Sequence, residues 1–156
     1  MSDDSPRSSR AELLIDDFAT VIGQAMGWPP TAGRMAAVLL LSDQPMTVQQ
    51  LQDELEASVG TVSELTRLLI TNGVVARSKP AGARHFVYEW RPDAWVGCLG
   101  HMVRQAEQLR ELSYRAEHLG ADLPALQQRR LQDMVGYYDL LVARLRSALE
   151  EYNASL

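Results

Sequence analysis

Apolar positions recur at helical spacing through the first half of the chain, and polar interruptions divide them into four segments. Residues 10–26 carry an apolar residue every three or four positions, which predicts an amphipathic helix. Residues 31–41 are apolar almost all round, so we expect a second helix that is buried and that Thr31 caps. Two shorter helices are predicted next, and their boundaries are marked by Thr47 with Gln50, by Ser58, and by Asn72-Gly73.

The pattern changes from helical spacing to alternation between residues 74 and 90. Residues 74–79 and 84–90 predict two strands, and the segment PAGA at 80–83 predicts the turn between them. In the second strand, alternate residues point to opposite faces, with Phe86, Tyr88 and Trp90 on one side. We therefore expect an antiparallel hairpin with one face packed and the other in water.

The last third of the chain predicts two long helices that are separated near Gly120 and Pro124. Each is about 26 to 30 residues long, or some 40 Å at 1.5 Å per residue. A single chain of this size has no core thick enough to bury both apolar stripes, so we expect a two-fold symmetric dimer of terminal helices. The alternative is an intrachain hairpin that packs on the first two helices. The predicted dimer contacts are Leu14, Phe18, Leu131, Val135, Tyr138 and Val142.

Composition excludes several classes of protein. Of the 156 residues, 46% are hydrophobic and 22% are charged, which excludes a disordered or low-complexity chain. The longest apolar run, Met35–Leu41, is far shorter than the roughly 20 residues of a membrane span. Residues 1–9 are expected to form a disordered polar tail that lacks the apolar core of a secretory signal. Because Cys98 is the single cysteine, we expect no internal disulfide and a protein of the reducing cytoplasm. Because the apolar runs are short, we expect no contact with a membrane.

Charge is distributed unevenly along the chain. The net charge is −5, yet residues 57–92 hold five basic side chains and only two acidic ones. A phosphate responds to such a local excess of positive charge within a screening distance of about 10 Å. Surface strands also carry charge simply to protect their edges, so charge alone does not identify a nucleic-acid site.

Two short capped helices followed by a basic hairpin form the arrangement of a winged helix-turn-helix protein. On a helical projection the second helix turns its apolar residues inward, and these are Val59, Val62, Leu65, Leu69 and Ile70. Small polar side chains and an arginine on the other face can donate to phosphates or base edges. The candidate DNA contacts are Ser58, Gly60, Thr61, Ser63, Glu64 and Arg67 in the helix and Arg77, Lys79, Arg84 and His85 in the hairpin.

Each of these residues also has a purely structural interpretation. Helix capping alone explains Ser58. Glu64 can pair with Arg67 as readily as it can accept a hydrogen bond from a cytosine amino group. Thr61 and Ser63 fit ordinary solvent-facing helix positions. The prediction therefore depends on the ordered combination and not on any single side chain.

Three segments resemble the DNA-binding domain of MarR-type repressors, and specifically the GbsR-like branch. They are TAGRMAAVLLLSD (31–43), VQQLQDELEASVGTVSELTRLLITNGVV (48–75) and ARSKPAGARHFVYEWRPDAW (76–95). The spacing of Ser58, Gly60 and Ser63 and the later run NGVVAR are characteristic of this group. The chain is also similar to actinobacterial repressors of the group that control lipid or drug exporters.

The resemblance implies a mainly α fold with a small β-hairpin wing and long dimerisation helices. It divides the chain into an N-terminal dimerisation helix (10–30), a winged helix-turn-helix domain (31–92) and a C-terminal helical dimerisation region (93–156). It also implies a recognition helix over residues 58–72, a wing over 77–85, and a homodimeric repressor on a double-stranded DNA operator. The alternative is a winged-helix module that binds protein without specific DNA binding.

Ligand binding and catalysis have less support in the sequence. In the family, many members release DNA when a small molecule binds. Trp28, Trp90 and Trp95 offer aromatic surface to an apolar or cationic effector, although aromatic residues at helical spacing are also ordinary core. Cys98 is either a redox sensor or an inert buried thiol. The histidines lack partners at zinc-ligand spacing and no phosphate-binding glycine loop occurs, so we expect no metal, no cofactor and no enzyme.

Overall fold

The computed structural model describes residues 6–156, which form a mainly helical fold with a three-stranded antiparallel sheet. The predicted fold class is confirmed. The elements are α1 (Pro6–Met26), α2 (Pro30–Leu41), β1 (Met46–Thr47), α3 (Val48–Leu55), α4 (Val59–Thr71), β2 (Val75–Ser78), β3 (Val87–Trp90), α5 (Ala94–Leu119) and α6 (Ala125–Ala154). No helix within this described range is long and apolar enough to cross a membrane.

The chain divides into two compact units, of which the first ends at Ala94 and the second comprises Trp95–Leu156. The first unit holds α1 to α4 and all three strands, so α1 shares a unit with the predicted DNA-binding elements. Residues 1–5 of the predicted tail lie outside the described residues. Residues 6–9 belong to α1, which begins earlier than the sequence pattern predicts.

Glycine and proline shape the junction between α1 and α2. Gly27 adopts φ 66°, the left-handed conformation that commonly ends a helix, and the N–H of Trp28 donates to the carbonyl oxygen of Gly23 at 2.8 Å. The prediction that Thr31 caps α2 is wrong, because Pro29 occupies the cap position and no side chain caps the helix. Pro30 suits the first helical position because its φ is already helical and its missing N–H is not needed there.

The core of the first unit is centred on α2, which packs on α1, α3, α4 and β3. Its buried residues are Ala32, Gly33, Met35, Ala36, Ala37, Val38 and Leu39. These buried residues lie on all sides of the helix, as the continuous apolar run predicts. Most are small, which allows the neighbouring elements to approach closely.

The sheet has the strand order β1-β3-β2, and both strand pairs are antiparallel. The predicted hairpin is confirmed, but its strands are shorter than expected, and β3 begins at Val87 rather than at residue 84. The sequence pattern does not predict β1, whose residues pair with Tyr88 and Val87 immediately before α3. Two residues are too few to show alternation, so only the pairing with β3 defines this strand.

Helix α4 packs on α2, α3 and β2 through a narrower arc than the sequence predicts. The inward orientation expected for Val59 and Ile70 is wrong, because these side chains are 59% and 38% exposed. On a helical projection they lie about 70 to 90° from the middle of the buried arc, and therefore at its edges. The residues of α4 that are buried are Val62, Leu65, Thr66 and Leu69.

In the second unit, α5 and α6 form an antiparallel hairpin. The guanidinium of Arg146 donates to the carboxylate of Glu107, and the hydroxyl of Tyr114 donates to the carboxylate of Asp139. The hydrogen bond to Asp139 raises the pKa of Tyr114. The helices have 26 and 30 residues, as predicted. The apolar side chains that are buried in this hairpin are Val103, Ala106 and Val142.

Gly33 gives a test of the close packing between α1 and α2. A Cβ at this position would lie 2.9 Å from the carbonyl oxygen of Phe18 and 3.0 Å from the Cα of Ala19, and both are backbone atoms that cannot rotate away. We expect Gly33→Ala to lower the free energy of unfolding by about 1–2 kcal/mol in urea titrations, because overpacking outweighs the gain in helix propensity.

Gly136→Ala is the matched control for Gly33→Ala. Gly136 lies in the interior of α6 and is exposed. A Cβ added at this position would have no neighbouring heavy atom within 4 Å. This variant should raise the free energy of unfolding by up to about 1 kcal/mol through helix propensity alone. Equal stabilisation by both substitutions would contradict the close approach at Gly33.

Candidate nucleic-acid interface

The first turn of α4 is held by a side-chain cap. The N–H of Thr61 donates to Oγ of Ser58 at 3.1 Å, and the two side-chain oxygens lie 2.9 Å apart. The predicted cap at Ser58 is therefore confirmed. The predicted capping box before α3 is also confirmed, since Thr47 and Gln50 exchange hydrogen bonds of 3.2 and 2.8 Å.

The outward face of α4 combines small, polar and charged side chains. Gly60, Ser63, Glu64 and Arg67 are exposed, and Thr61 is half-buried at the margin of the face. The alternative in which Glu64 pairs with Arg67 finds no support, because no ion pair joins these two described residues. Neither charge is neutralised within the helix, and both remain available to a ligand.

Val59 is an exposed member of this face that sequence reasoning missed. It is the first residue of α4 and lies one turn before Ser63 on the same side of the helix. The apolar pattern does not show how wide the buried arc of α4 is. In the structure this arc is centred on Val62, Leu65 and Leu69 and does not reach the first residue of the helix. An apolar side chain in the first turn can contact the methyl group of a thymine.

The four predicted wing residues flank the tip of the β2–β3 hairpin. Arg77, Lys79, Arg84 and His85 are all exposed. The turn between the strands is closed by the N–H of Ala83, which donates to the carbonyl oxygen of Pro80 at 3.0 Å, and Gly82 supplies the positive φ of 76° that this turn needs. The hairpin therefore carries its basic side chains on both sides of a well-defined turn.

Arg77 and Lys79 share an aromatic neighbour, Phe86. The guanidinium carbon of Arg77 lies 4.4 Å from the centroid of the Phe86 ring, and the ammonium nitrogen of Lys79 lies 5.6 Å from it. Both distances are within the range of a cation–π contact. The sequence alternation placed Phe86 within the second strand, on one face with Tyr88 and Trp90, whereas the structure places it before β3 and leaves it 43% exposed.

Two other basic residues of the first unit, Arg34 and Arg91, are paired with carboxylates. Arg34 contacts Asp16 at 2.9 Å and Glu12 at 3.3 Å. Arg91 donates to both carboxylate oxygens of Asp93 at 2.8 and 2.7 Å, and this hydrogen bonding lowers the pKa of Asp93. Arg91 therefore contributes little to the positive charge that the sequence assigns to residues 57–92.

The basic residues of α4 and the wing differ in this respect. Among the residues that the structure describes, Arg67, Arg77, Lys79 and Arg84 have no carboxylate within 4.0 Å. The protein has an excess of acidic side chains, so pairing partners are abundant in the chain as a whole. Ion pairs therefore do not neutralise these four charges on the surface that carries the predicted DNA contacts.

The predicted effector contacts are dispersed and have different exposures. Trp28 and Trp90 are half-buried, and Trp95 is 48% exposed. An open cleft of about 560 Å³ lies in the first unit between the start of α3 and the returning side of the hairpin, and none of these tryptophans lines it. Its lining residues are Thr47, Val48, Gln49, Gln52, Arg84, His85, Phe86 and Tyr88.

The environment of Cys98 favours the inert interpretation of this thiol. Its side chain is half-buried, and burial raises the pKa of the thiol. A raised pKa reduces the fraction of thiolate at neutral pH, and the thiolate is the reactive form. No group of three metal-ligating side chains occurs in the part of the chain that the structure describes.

The side chains of the predicted dimer contacts differ in their exposure to solvent in the single chain. Leu14 is 48% exposed, Phe18 is half-buried, and Val142 is only 1% exposed. Leu131, Val135 and Tyr138 are half-buried. The second unit also carries an open groove of about 300 Å³ between α5 and α6, and its lining includes Met102, Leu109, Tyr137, Tyr138, Leu141 and Leu145.

Comparison with known proteins gives a match in the second unit and a match over a longer segment. A family model described as MmpR5-like MarR family transcriptional regulator matches residues 93–155. The HTH-type transcriptional regulator MmpR5 of Mycobacterium tuberculosis (strain ATCC 25618 / H37Rv) is 31% identical over 104 residues. The matched segment covers 66% of this chain and 63% of that protein, which is less than two thirds of its length.

The fold as a whole matches a solved structure. The crystal structure of a transcriptional regulator superposes with a TM-score of 0.85 at 24% sequence identity, and the match covers 93% of this chain and 99% of the other. This likeness concerns the fold. The relatives named here are described as transcriptional regulators.

The sequence match, the family model and the winged helix architecture agree with one another. The narrower assignment to a GbsR-like branch stays a prediction, because the matching model describes MmpR5-like proteins. The chain is therefore similar in sequence to MarR family transcriptional regulators, and its fold is that of a solved transcriptional regulator.

Proposed function

We propose that the protein is a DNA-binding transcriptional regulator that acts as a homodimeric repressor. The observation that carries the proposal is the set of four exposed cations without carboxylate partners among the described residues, which are Arg67, Arg77, Lys79 and Arg84. They belong to α4 and to the hairpin, the two elements that a winged helix protein applies to DNA. A phosphate backbone supplies the negative charge that the chain itself does not supply to them.

Helix α4 is proposed to enter the major groove. Gly60 and Ser63 are small residues in the first half of its outward face, and they leave room for the helix to approach base edges closely. Arg67 lies further along the same face, where a guanidinium can donate two hydrogen bonds to a guanine. The wing, with its arginines and Lys79, would then contact the flanking phosphates or minor groove.

Dimerisation is proposed through the terminal helices. The groove between α5 and α6 is open and mostly apolar in the single chain, and Met102 and Leu109 on its α5 side are 42% and 40% exposed. Contiguous apolar surface of this kind is usually covered by a partner. A two-fold dimer would place two recognition helices about 34 Å apart, one helical turn of DNA.

Repression and release by an effector complete the proposal. These two features rest on the family resemblance, and Trp28, Trp90 and Trp95 are the candidate contacts of a small apolar or cationic effector. Such a ligand would act by favouring a geometry in which the recognition helices do not match successive grooves. Its influence is limited by its difference in affinity for the two geometries.

DNA binding can be tested without knowledge of the operator, by titrating a 30-bp random-sequence duplex at several salt concentrations. We expect salt-sensitive binding, because phosphate contacts release counterions from the duplex. Lys79→Gln and Arg84→Gln should each reduce the slope of log K against log salt by about 0.9. Arg115→Gln, which removes an exposed arginine from α5, is the matched control and should leave the slope unchanged. Absence of duplex binding at low salt would instead favour a protein-binding winged helix module.

Sequence readout can be tested with the upstream region of the protein's own gene. Arg67→Ala should weaken binding to this specific DNA by about 1–3 kcal/mol if the guanidinium contacts a base edge. The effect on the random duplex should be smaller, because a base contact contributes little to non-specific binding. Gel-shift titrations in which Arg67→Ala binds the upstream region like wild type would show that α4 does not read the groove.

The dimer interface can be tested by sedimentation velocity across a concentration series. Leu109→Lys introduces a charge beside the apolar groove and should weaken the dimer at least about tenfold, because a buried unpaired charge is costly. Glu111→Lys also adds a lysine to α5, but at an exposed position outside the groove, and should leave the dimer intact. A wild-type chain that sediments as a monomer at all concentrations would refute the dimer.

A further inference from the structure

Phe86 lies where the core-facing side of the hairpin reaches solvent. In the β2–β3 register, Val75 pairs with Trp90 and Arg77 pairs with Tyr88. Extending this register by one pair beyond Ser78 and Val87 places Lys79 opposite Phe86, and residues directly opposite each other share a face.

Burial decreases along this face toward the hairpin tip. Val75 is 1% exposed, Tyr88 is 8% exposed, and Phe86 is 43% exposed. Two cationic groups lie over the exposed Phe86 ring. They belong to Arg77 and Lys79, at 4.4 and 5.6 Å from the ring centroid.

The arrangement brings two like charges to one aromatic ring. Arg77 and Lys79 lie two positions apart on the β2 side of the hairpin and on the same face, so their charges repel each other. Neither has a carboxylate partner among the described residues. The negative face of the ring attracts both and offsets part of this repulsion. A polyanion is the ligand that would gain most from finding them side by side.

We propose that Phe86 is a positioning residue for DNA binding, because its ring holds Arg77 and Lys79 on one side of the wing before the duplex arrives. This inference rests on the proposed DNA-binding function and deepens it. Long cationic side chains lose rotamer freedom when they engage a phosphate, so ordering them beforehand reduces that loss on binding. Phe86 itself need not touch the DNA.

A purely structural role for Phe86 makes a different prediction. If the ring only shields the edge of the core, its removal lowers stability and weakens DNA binding to the same degree whether or not the two cations are present. If the ring positions the cations, its effect on DNA binding requires them. A double-mutant cycle between Phe86 and the pair Arg77 and Lys79 separates the two roles.

The experiment uses the full chain and a 30-bp random-sequence duplex at low salt. Phe86→Leu keeps apolar volume but removes the ring, and it should weaken duplex binding about threefold to tenfold. Phe86→Trp retains an aromatic face and should bind within about twofold of wild type. In the background of Arg77→Gln with Lys79→Gln, adding Phe86→Leu should have almost no further effect.

Salt dependence supplies a second readout. Phe86→Leu removes no charge, so its slope of log K against log salt should stay close to that of wild type. Arg77→Gln with Lys79→Gln should reduce the slope by about 1.8, as expected for two lost phosphate contacts. Thermal unfolding of each variant without DNA identifies any loss of folded protein.

The outcomes distinguish this inference from the function on which it rests. Wild-type affinity in Phe86→Leu overturns the inference while the proposed DNA binding stands, provided that the double glutamine variant is weakened. The inference is equally overturned if Phe86→Trp binds as poorly as Phe86→Leu, or if Phe86→Leu acts undiminished in the glutamine background. Absence of duplex binding by the wild-type protein removes both the function and the inference.

Discussion

The one-sided burial of α4 is the constraint on which the rest of the candidate site depends. Val62, Leu65 and Leu69 anchor the helix against α2, α3 and β2, and the Ser58 cap closes its first turn. A helix anchored through so narrow an arc must present the remainder of its circumference to solvent. That remainder holds Gly60, Ser63 and Arg67 in a fixed angular order, because the 3.6-residue period couples exposure on one side to burial on the other.

The basic side chains of the first unit differ in whether they form ion pairs. Carboxylates from α1 engage Arg34, and Asp93 engages Arg91, so these cations are neutralised locally. The cations of α4 and the wing have no such partners among the described residues, and an acidic protein thereby keeps a basic surface. Net charge is therefore a poor guide to the ligand of this chain, whereas the pairing of individual side chains is informative.

The two units differ in what holds them together. The first has a continuous core centred on α2, with residues such as Met35 and Leu39 almost completely buried. The second is a two-helix hairpin, which buries Val142 but leaves much of its apolar stripe in solvent. Two helices have only one shared face, so the other apolar positions need a further partner to become buried. This difference in core size is the physical basis for proposing that the second unit mediates dimerisation.

Features that depend on residues close together in the chain follow from the sequence alone. Helix periodicity, the caps at Thr47 and Ser58 and the turn at Gly82 are local, because each is specified by side chains within a few positions of one another. The same is true of the outward polar face of α4. These local signals were sufficient to predict the winged helix architecture and the exposed positions of most candidate DNA contacts, whose role in binding stays a prediction.

Features that join residues far apart in the chain are defined only once the chain has folded. The strand β1 exists through its pairing with β3, and the exposure of Val59 depends on which side of α4 is covered by α2, α3 and β2. The ion pair of Arg91 and the position of Phe86 beneath two cations depend on how side chains meet after the strands have paired. Periodicity states which side of an element is apolar, but it carries no information about how far the neighbouring elements extend to cover that side.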